Sequence, residues 1–226
     1  MTEQRRSYAG ECVYVGVDVH KETYTVTCVC HKQIVKTATV QAEPASLAAS
    51  WRRWFPGATL ASAYEAGFSA FVLHRALTTA GLTNIVVNPA SIAVAAHDKV
   101  KTDRRDSKRL AVALADGRLR GIYVPTEEEE LARLLPRTRA QLVEHRATLA
   151  RQIKAKLHQC GLIAPASRRM LSHRYVRAIA SWTLPPALRA SLTLLAEQWR
   201  FVTRQLIEMR RLLREQATAQ AAIDKG

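Results

Sequence analysis

Between Cys12 and Val40 three β-rich runs follow one another with almost no chain between them, and that crowding restricts the fold most. Cys12-Val13-Tyr14-Val15-Gly16-Val17-Asp18 is a short apolar run ending on an acid, the pattern of a central strand. Thr23 to Cys30 and Gln33 to Val40 are β-branched and alternating. The breaks between the three runs are short and polar, too short for a crossover, so the strands are read as an antiparallel meander.

Downstream the pattern changes to alternating helices and strands. Pro44 to Trp54 places Leu47, Trp51 and Trp54 on one side of a helix, and Ala58 to Glu65 is a fourth strand that again ends on an acid. Ser69 to Ala80 reads as a helix stopped by Gly81, and Thr83 to Val87 as a fifth strand closed by Asn88-Pro89. A helix beginning at Asp103 and an extended Gly121 to Val124 complete the half. The order β-β-β-α-β-α-β-α predicts an α/β domain over 1–124, a mixed sheet with flanking helices.

Residues 125–226 are predicted to be an all-α extension. Leu131, Leu135, Leu142, Leu149, Ile153 and Leu157 recur at helical spacing up to Cys160-Gly161, with Pro136 expected to kink or restart the helix. A linker containing Pro165, Ser167 and Pro185-Pro186 follows. Leu188, Leu192, Leu195, Trp199, Val202, Leu206, Met209 and Leu213 then alternate spacings of four and three, a heptad seam that predicts a coiled coil within or between chains. Eight apolar positions left in water would forfeit on the order of 10 kcal/mol, so a partner copy is expected to cover what the preceding helix does not.

Charge narrows the choice of partner. The chain carries 34 Lys+Arg against 19 Asp+Glu, a formal +15, of which residues 125–226 hold +9. A surplus of this size implies an anionic partner, most often nucleic acid. No apolar run reaches the ~18 residues a membrane span needs, and the N-terminus has no signal peptide, so no membrane partner is expected. Cys12, Cys28, Cys30 and Cys160 lack paired metal-ligand spacing. Cys28-Val29-Cys30-His31 has the look of half a zinc site, but its two cysteines share one strand face and read as core. A reduced, cytoplasmic protein is expected.

The chemistry-bearing residues are four acids. Asp18 and Glu65 close strands one and four, and open α/β sheets bind ligands at that edge. Asp103 and Asp106, three apart on the first turn of a helix, share a face and follow the fifth strand back to the same edge. As a lone motif, Asp103 with Asp106 is an ordinary capped helix start. Four carboxylates at one edge are a different matter, because like charges 4 Å apart repel by about 4 kcal/mol at an effective dielectric of 20. Hard divalent cations, Mg²⁺ or Mn²⁺, reverse that sign and support phosphodiester chemistry. Lys101, Arg104, Arg105, Lys108 and Arg109 surround the two helical acids and are predicted to bind the nucleic-acid backbone.

Val15-Gly16-Val17-Asp18-Val19-His20-Lys21, Tyr64-Glu65-Ala66-Gly67, Val87-Asn88-Pro89 and Lys101-Thr102-Asp103-Arg104-Arg105-Asp106 resemble, in that order, the N-terminal domain of IS110-family transposases. The resemblance runs from about Val13 through the long helices. It implies a RuvC-like, ribonuclease-H-like domain whose Asp-Glu-Asp-Asp tetrad falls on Asp18, Glu65, Asp103 and Asp106. It further implies metal-dependent cleavage and strand transfer on DNA, a structured guide RNA, and a homodimer or higher homo-oligomer formed through the coiled coil. In the family a C-terminal domain supplies a serine nucleophile. The chain ends at Gly226, and none of Ser167, Ser172, Ser181 or Ser191 matches the context of that serine, so a truncated protein is expected.

Three alternatives compete. Gly16-Val17-Asp18 also resembles the first phosphate strand of actin-like kinases, but the nine glycines include no Gly-x-Gly for a second phosphate loop. A Holliday-junction-resolvase-like nuclease shares the sheet and acidic tetrad but not the long heptad helix. A non-catalytic RNA- or DNA-binding dimer would leave the acids structural.

Overall fold

A computed structural model describes residues 7–91, 103–162 and 171–223. The chain forms two compact units, Met1–Val124 and Pro125–Gly226. In the first, β1 (Cys12–Val19), β2 (Thr23–Cys30) and β3 (Gln33–Gln41) form the antiparallel meander, followed by α1 (Pro44–Trp54), β4 (Thr59–Glu65), α2 (Val72–Thr79), β5 (Thr83–Val87) and α3 (Asp103–Ala115). The sheet order is β3-β2-β1-β4-β5, with β1, β4 and β5 parallel to one another. A mixed five-stranded sheet flanked by helices is consistent with the ribonuclease-H-like architecture.

Strand alternation gives the sheet two different faces. Val13, Val15 and Val17 of β1, with Val26 and Cys28 of β2, pack against Leu47 and Trp51 of α1 and Leu73 and Leu77 of α2. The opposite face is thin. There α3 lies directly on β1, because a Cβ at Gly16 would overlap the Ser107 carbonyl, the Ala111 nitrogen and Leu110 Cβ. Only glycine permits that approach. Leu110 packs with Ala63 and Val87, and the buried Ser107 and Thr27 hydroxyls, 2.8 Å apart, fasten α3 to β2.

One boundary differs from expectation. The second helix starts at Val72 rather than Ser69, since Tyr64 Oη donates to Ala70 C=O and accepts from His74 N–H, holding Ala70 at φ 47° in a turn. Gly81 does stop it: at φ 75° it lets Leu82 N–H reach back to Leu77 C=O. The extended Gly121 to Val124 segment lies outside the sheet. It contributes a backbone bond from Ile122 N–H to Val86 C=O and apolar cover at Ile122 and Val124.

The second unit comprises α4 (Glu127–Ala132), α5 (Leu134–Gln159), α6 (His173–Ala180) and α7 (Pro186–Ile223). Thr126 and Glu129 form a reciprocal capping box on α4. The helix restarts at Leu134, which leaves Pro136 in the first turn of α5, where no intrahelical N–H is required. Helix α6 falls inside the expected linker, capped by the Ser172 hydroxyl.

Much of the heptad seam is covered within its own unit. Leu192, Trp199, Val202 and Leu206 are buried with Leu149, Ile153 and Leu157 of α5 and with Leu171, Tyr175, Val176 and Ile179 in and beside α6. Leu188, Leu195 and Leu213 of the same seam are only half-buried.

Candidate metal-binding edge of the sheet

Backbone register fixes the first two acids. Gly16 pairs with Ala63 and Val17 with Tyr64, so the next residues, Asp18 and Glu65, end adjacent parallel strands. Gly16 and Ala63 face α3, and alternation carries Asp18 and Glu65 to that same side. The α3 first turn supplies Asp103, exposed, and Asp106, 7 % exposed. Because α3 lies on β1 at Gly16, this turn comes over the end of the strand.

His20 joins the two elements. Its Nε2 lies 3.2 Å from Asp18 Oδ2 and 3.4 Å from Asp103 Oδ2. One donor atom each from Asp18, His20 and Asp103 lie within 4.8 Å of one another. Sequence reasoning missed His20 as a site residue. The signal was present: two positions beyond Asp18, strand periodicity returns a side chain to the same face.

The electrostatics point to excess negative charge. Burial pushes the Asp18 carboxyl above its ordinary range, His20 pulls it back, and the Asp103 and Asp106 charges push it up further. Asp106 has a local counter-ion, since Arg109 Nη2 donates to its Oδ1. That pairing turns the Arg109 guanidinium toward Asp106 on its own helix. Arg109 Nε is buried without a hydrogen-bond partner among the described residues. Arg104, Arg105 and Lys108 of the same helix are exposed. Lys101 lies outside the described residues.

The residues present fit a divalent cation. Two carboxylates and an imidazole converge on a small volume, with a third carboxylate behind them on α3 and a fourth at the end of the neighbouring strand. Hard cations prefer such oxygen donors, and a cation there would offset both the burial and the repulsion that raise Asp18. The arrangement defines a carboxylate-rich edge on a mixed sheet, suited to phosphate-ester chemistry.

Comparison with known proteins agrees. The model of a transposase family, the DEDD transposases of the IS110 type, matches residues 15–161, and the chain belongs to that family. It is 39 % identical over 114 residues to a putative transposase, y4qE, of Sinorhizobium fredii (strain NBRC 101917 / NGR234), covering 50 % of this chain and 29 % of that protein. It is 33 % identical over 141 residues to the transposase for insertion sequence element IS1533 of Leptospira borgpetersenii, covering 58 % and 39 %. The chain thus spans well under two thirds of the length of these curated relatives. The family implies use of a divalent metal. Among the described residues no helix is long and apolar enough to cross a membrane.

Proposed function

We propose that residues 1–124 form the metal-dependent DNA-cleaving domain of an insertion-sequence transposase, with Asp18, Glu65, Asp103 and Asp106 as its acidic tetrad. The observation that carries this reading is the meeting of Asp18 with Asp103, from elements 85 residues apart, across His20. Mg²⁺ or Mn²⁺ bound there would polarise a phosphodiester and lower the pKa of an attacking water or hydroxyl. Asp18 and Asp103 are assigned as the principal oxygen ligands, and Glu65 completes the edge from the adjacent strand. His20, set between the two, orients both aspartates. Arg109 holds Asp106 in place through its hydrogen bond.

DNA is the proposed substrate and a structured guide RNA the proposed partner, supported by the +15 charge and by Arg104, Arg105 and Lys108 exposed beside the acids. For the proposed homo-oligomer, exposed Leu194, Phe201 and Ile207 on α7 are better candidates than the largely covered seam. Ser172 caps α6 and Ser181 bonds Ala178 C=O, local roles that give no reason to assign either as a nucleophile. The Arg109–Asp106 pair favours one rival, a nucleic-acid-binding unit with structural acids, because it neutralises one carboxylate without metal. A nicking assay on supercoiled DNA separates the two. Cleavage requiring Mn²⁺ or Mg²⁺ and abolished in Asp18→Asn and Asp103→Asn supports the enzyme. Retained DNA binding with no metal-dependent nicking by the unsubstituted chain supports the rival.

A further inference from the structure

A second cluster of donor atoms lies at the other end of β1. Glu11 directly precedes that strand, Cys30 closes β2, and His31 opens the turn into β3. A carboxylate oxygen, a thiol sulfur and an imidazole nitrogen, one from each, lie within 4.8 Å of one another. His31 Nε2 is 2.6 Å from Glu11 Oε2. Cys30 is 1 % exposed, whereas the His31 and Glu11 side chains are 59 % and 40 % exposed. The cluster therefore has a buried anchor and an open side.

The turn itself is unusual. His31 and Lys32 sit at φ 49° and 61°, both in the left-handed region, where a two-residue hairpin turn ordinarily takes Asn-Gly. A histidine held there, with its ring brought to Glu11 and Cys30, is strain that a ligand site would explain.

We propose that Glu11, Cys30 and His31 bind a borderline-soft divalent cation of the zinc class, with water as fourth ligand. Sulfur, imidazole nitrogen and carboxylate oxygen are all established Zn²⁺ donors, and a thiolate disfavours Mg²⁺. Binding releases the Cys30 thiol proton to solvent, and the two anionic ligands balance the charge of the ion. Seven residue steps of strand carry the chain from Glu11 to Asp18, roughly 23 Å, so this site and the acidic edge cannot share a metal. Cys28 stays outside the site. Burial pushes its thiol up to about 12, despite Lys36, and it remains a protonated core side chain.

Titration of the full chain with Co²⁺, followed optically, tests the assignment, with Zn²⁺ affinity from calorimetry. One Co²⁺ should bind with a thiolate charge-transfer band that Zn²⁺ abolishes and excess Mg²⁺ does not. Cys30→Ser should lose the band, and Cys12→Ser and Asp18→Asn should keep it. His31→Asn suits a left-handed turn and should leave the fold intact, yet weaken Zn²⁺ binding by at least about tenfold. Absence of the band, its loss in Cys12→Ser with retention in Cys30→Ser, or unchanged Zn²⁺ affinity in folded His31→Asn would each overturn the proposal.

Discussion

Asp18 carries the tension of the acidic edge. Its pKa is raised in the folded chain by burial and by the Asp103 and Asp106 charges, against the pull of His20. A group shifted this way favours the fold at pH below its unfolded pKa and loses that contribution as pH rises through the folded one. Without added metal, Asp18→Asn should therefore be more stable than the parent chain at neutral pH. The difference should vanish below the ordinary carboxylate range. Urea melts across pH check this, and an Asn variant less stable at neutral pH would count against the frustrated-carboxylate reading. Much of this edge was legible at the residue scale: an acid after each of two parallel strands, and two acids three apart. What the pattern did not show was which charges pair. Nothing in the spacing of Arg104, Arg105, Lys108 and Arg109 says that Arg109 turns to Asp106. That follows from α3 lying close on Gly16, which buries one flank of the helix and exposes the other.

Among the elements, α7 shows how far a period can be trusted. The heptad spacing located its apolar stripe correctly, since Leu192, Trp199, Val202 and Leu206 are all buried. Spacing says only that a stripe is covered, not by what. Part of the cover is α6, two turns long and set among arginines, too short for its Leu171, Tyr175, Val176 and Ile179 pattern to stand out. Because this part of the seam is an internal core, Leu206→Ala should cost ~2–5 kcal/mol of stability in the helical unit. The self-association state of the protein should stay unchanged. Denaturant melts followed by helical ellipticity, with sedimentation mass alongside, report both quantities. A lost oligomer with unchanged stability would return the seam to an intermolecular role. The meander was the most legible part, because breaks this short leave an antiparallel pairing as the only choice. The Gly121 to Val124 segment, expected to be extended, supplies apolar cover beside the sheet.

For the whole molecule, the +15 charge is the property that acts at a distance. Affinity for DNA or RNA should fall steeply with salt, and replacing Arg104, Arg105 and Lys108 by Ala should flatten the log–log slope by up to about three units. An unchanged slope would move the nucleic acid to the helical unit, which holds +9 of the charge. Charge alone cannot distinguish a nuclease from a binding protein, and the acids decide that. The most direct measurement is calorimetric titration of the intact chain with Mn²⁺ and Mg²⁺, after the Zn²⁺-class site has been filled. Saturable binding that raises the melting temperature, and that both Asp18→Asn and Asp103→Asn remove while remaining folded, is the expected result. Equal Mn²⁺ binding by the parent chain and the two variants, or none by any of them, would contradict the assignment of this edge as a metal site.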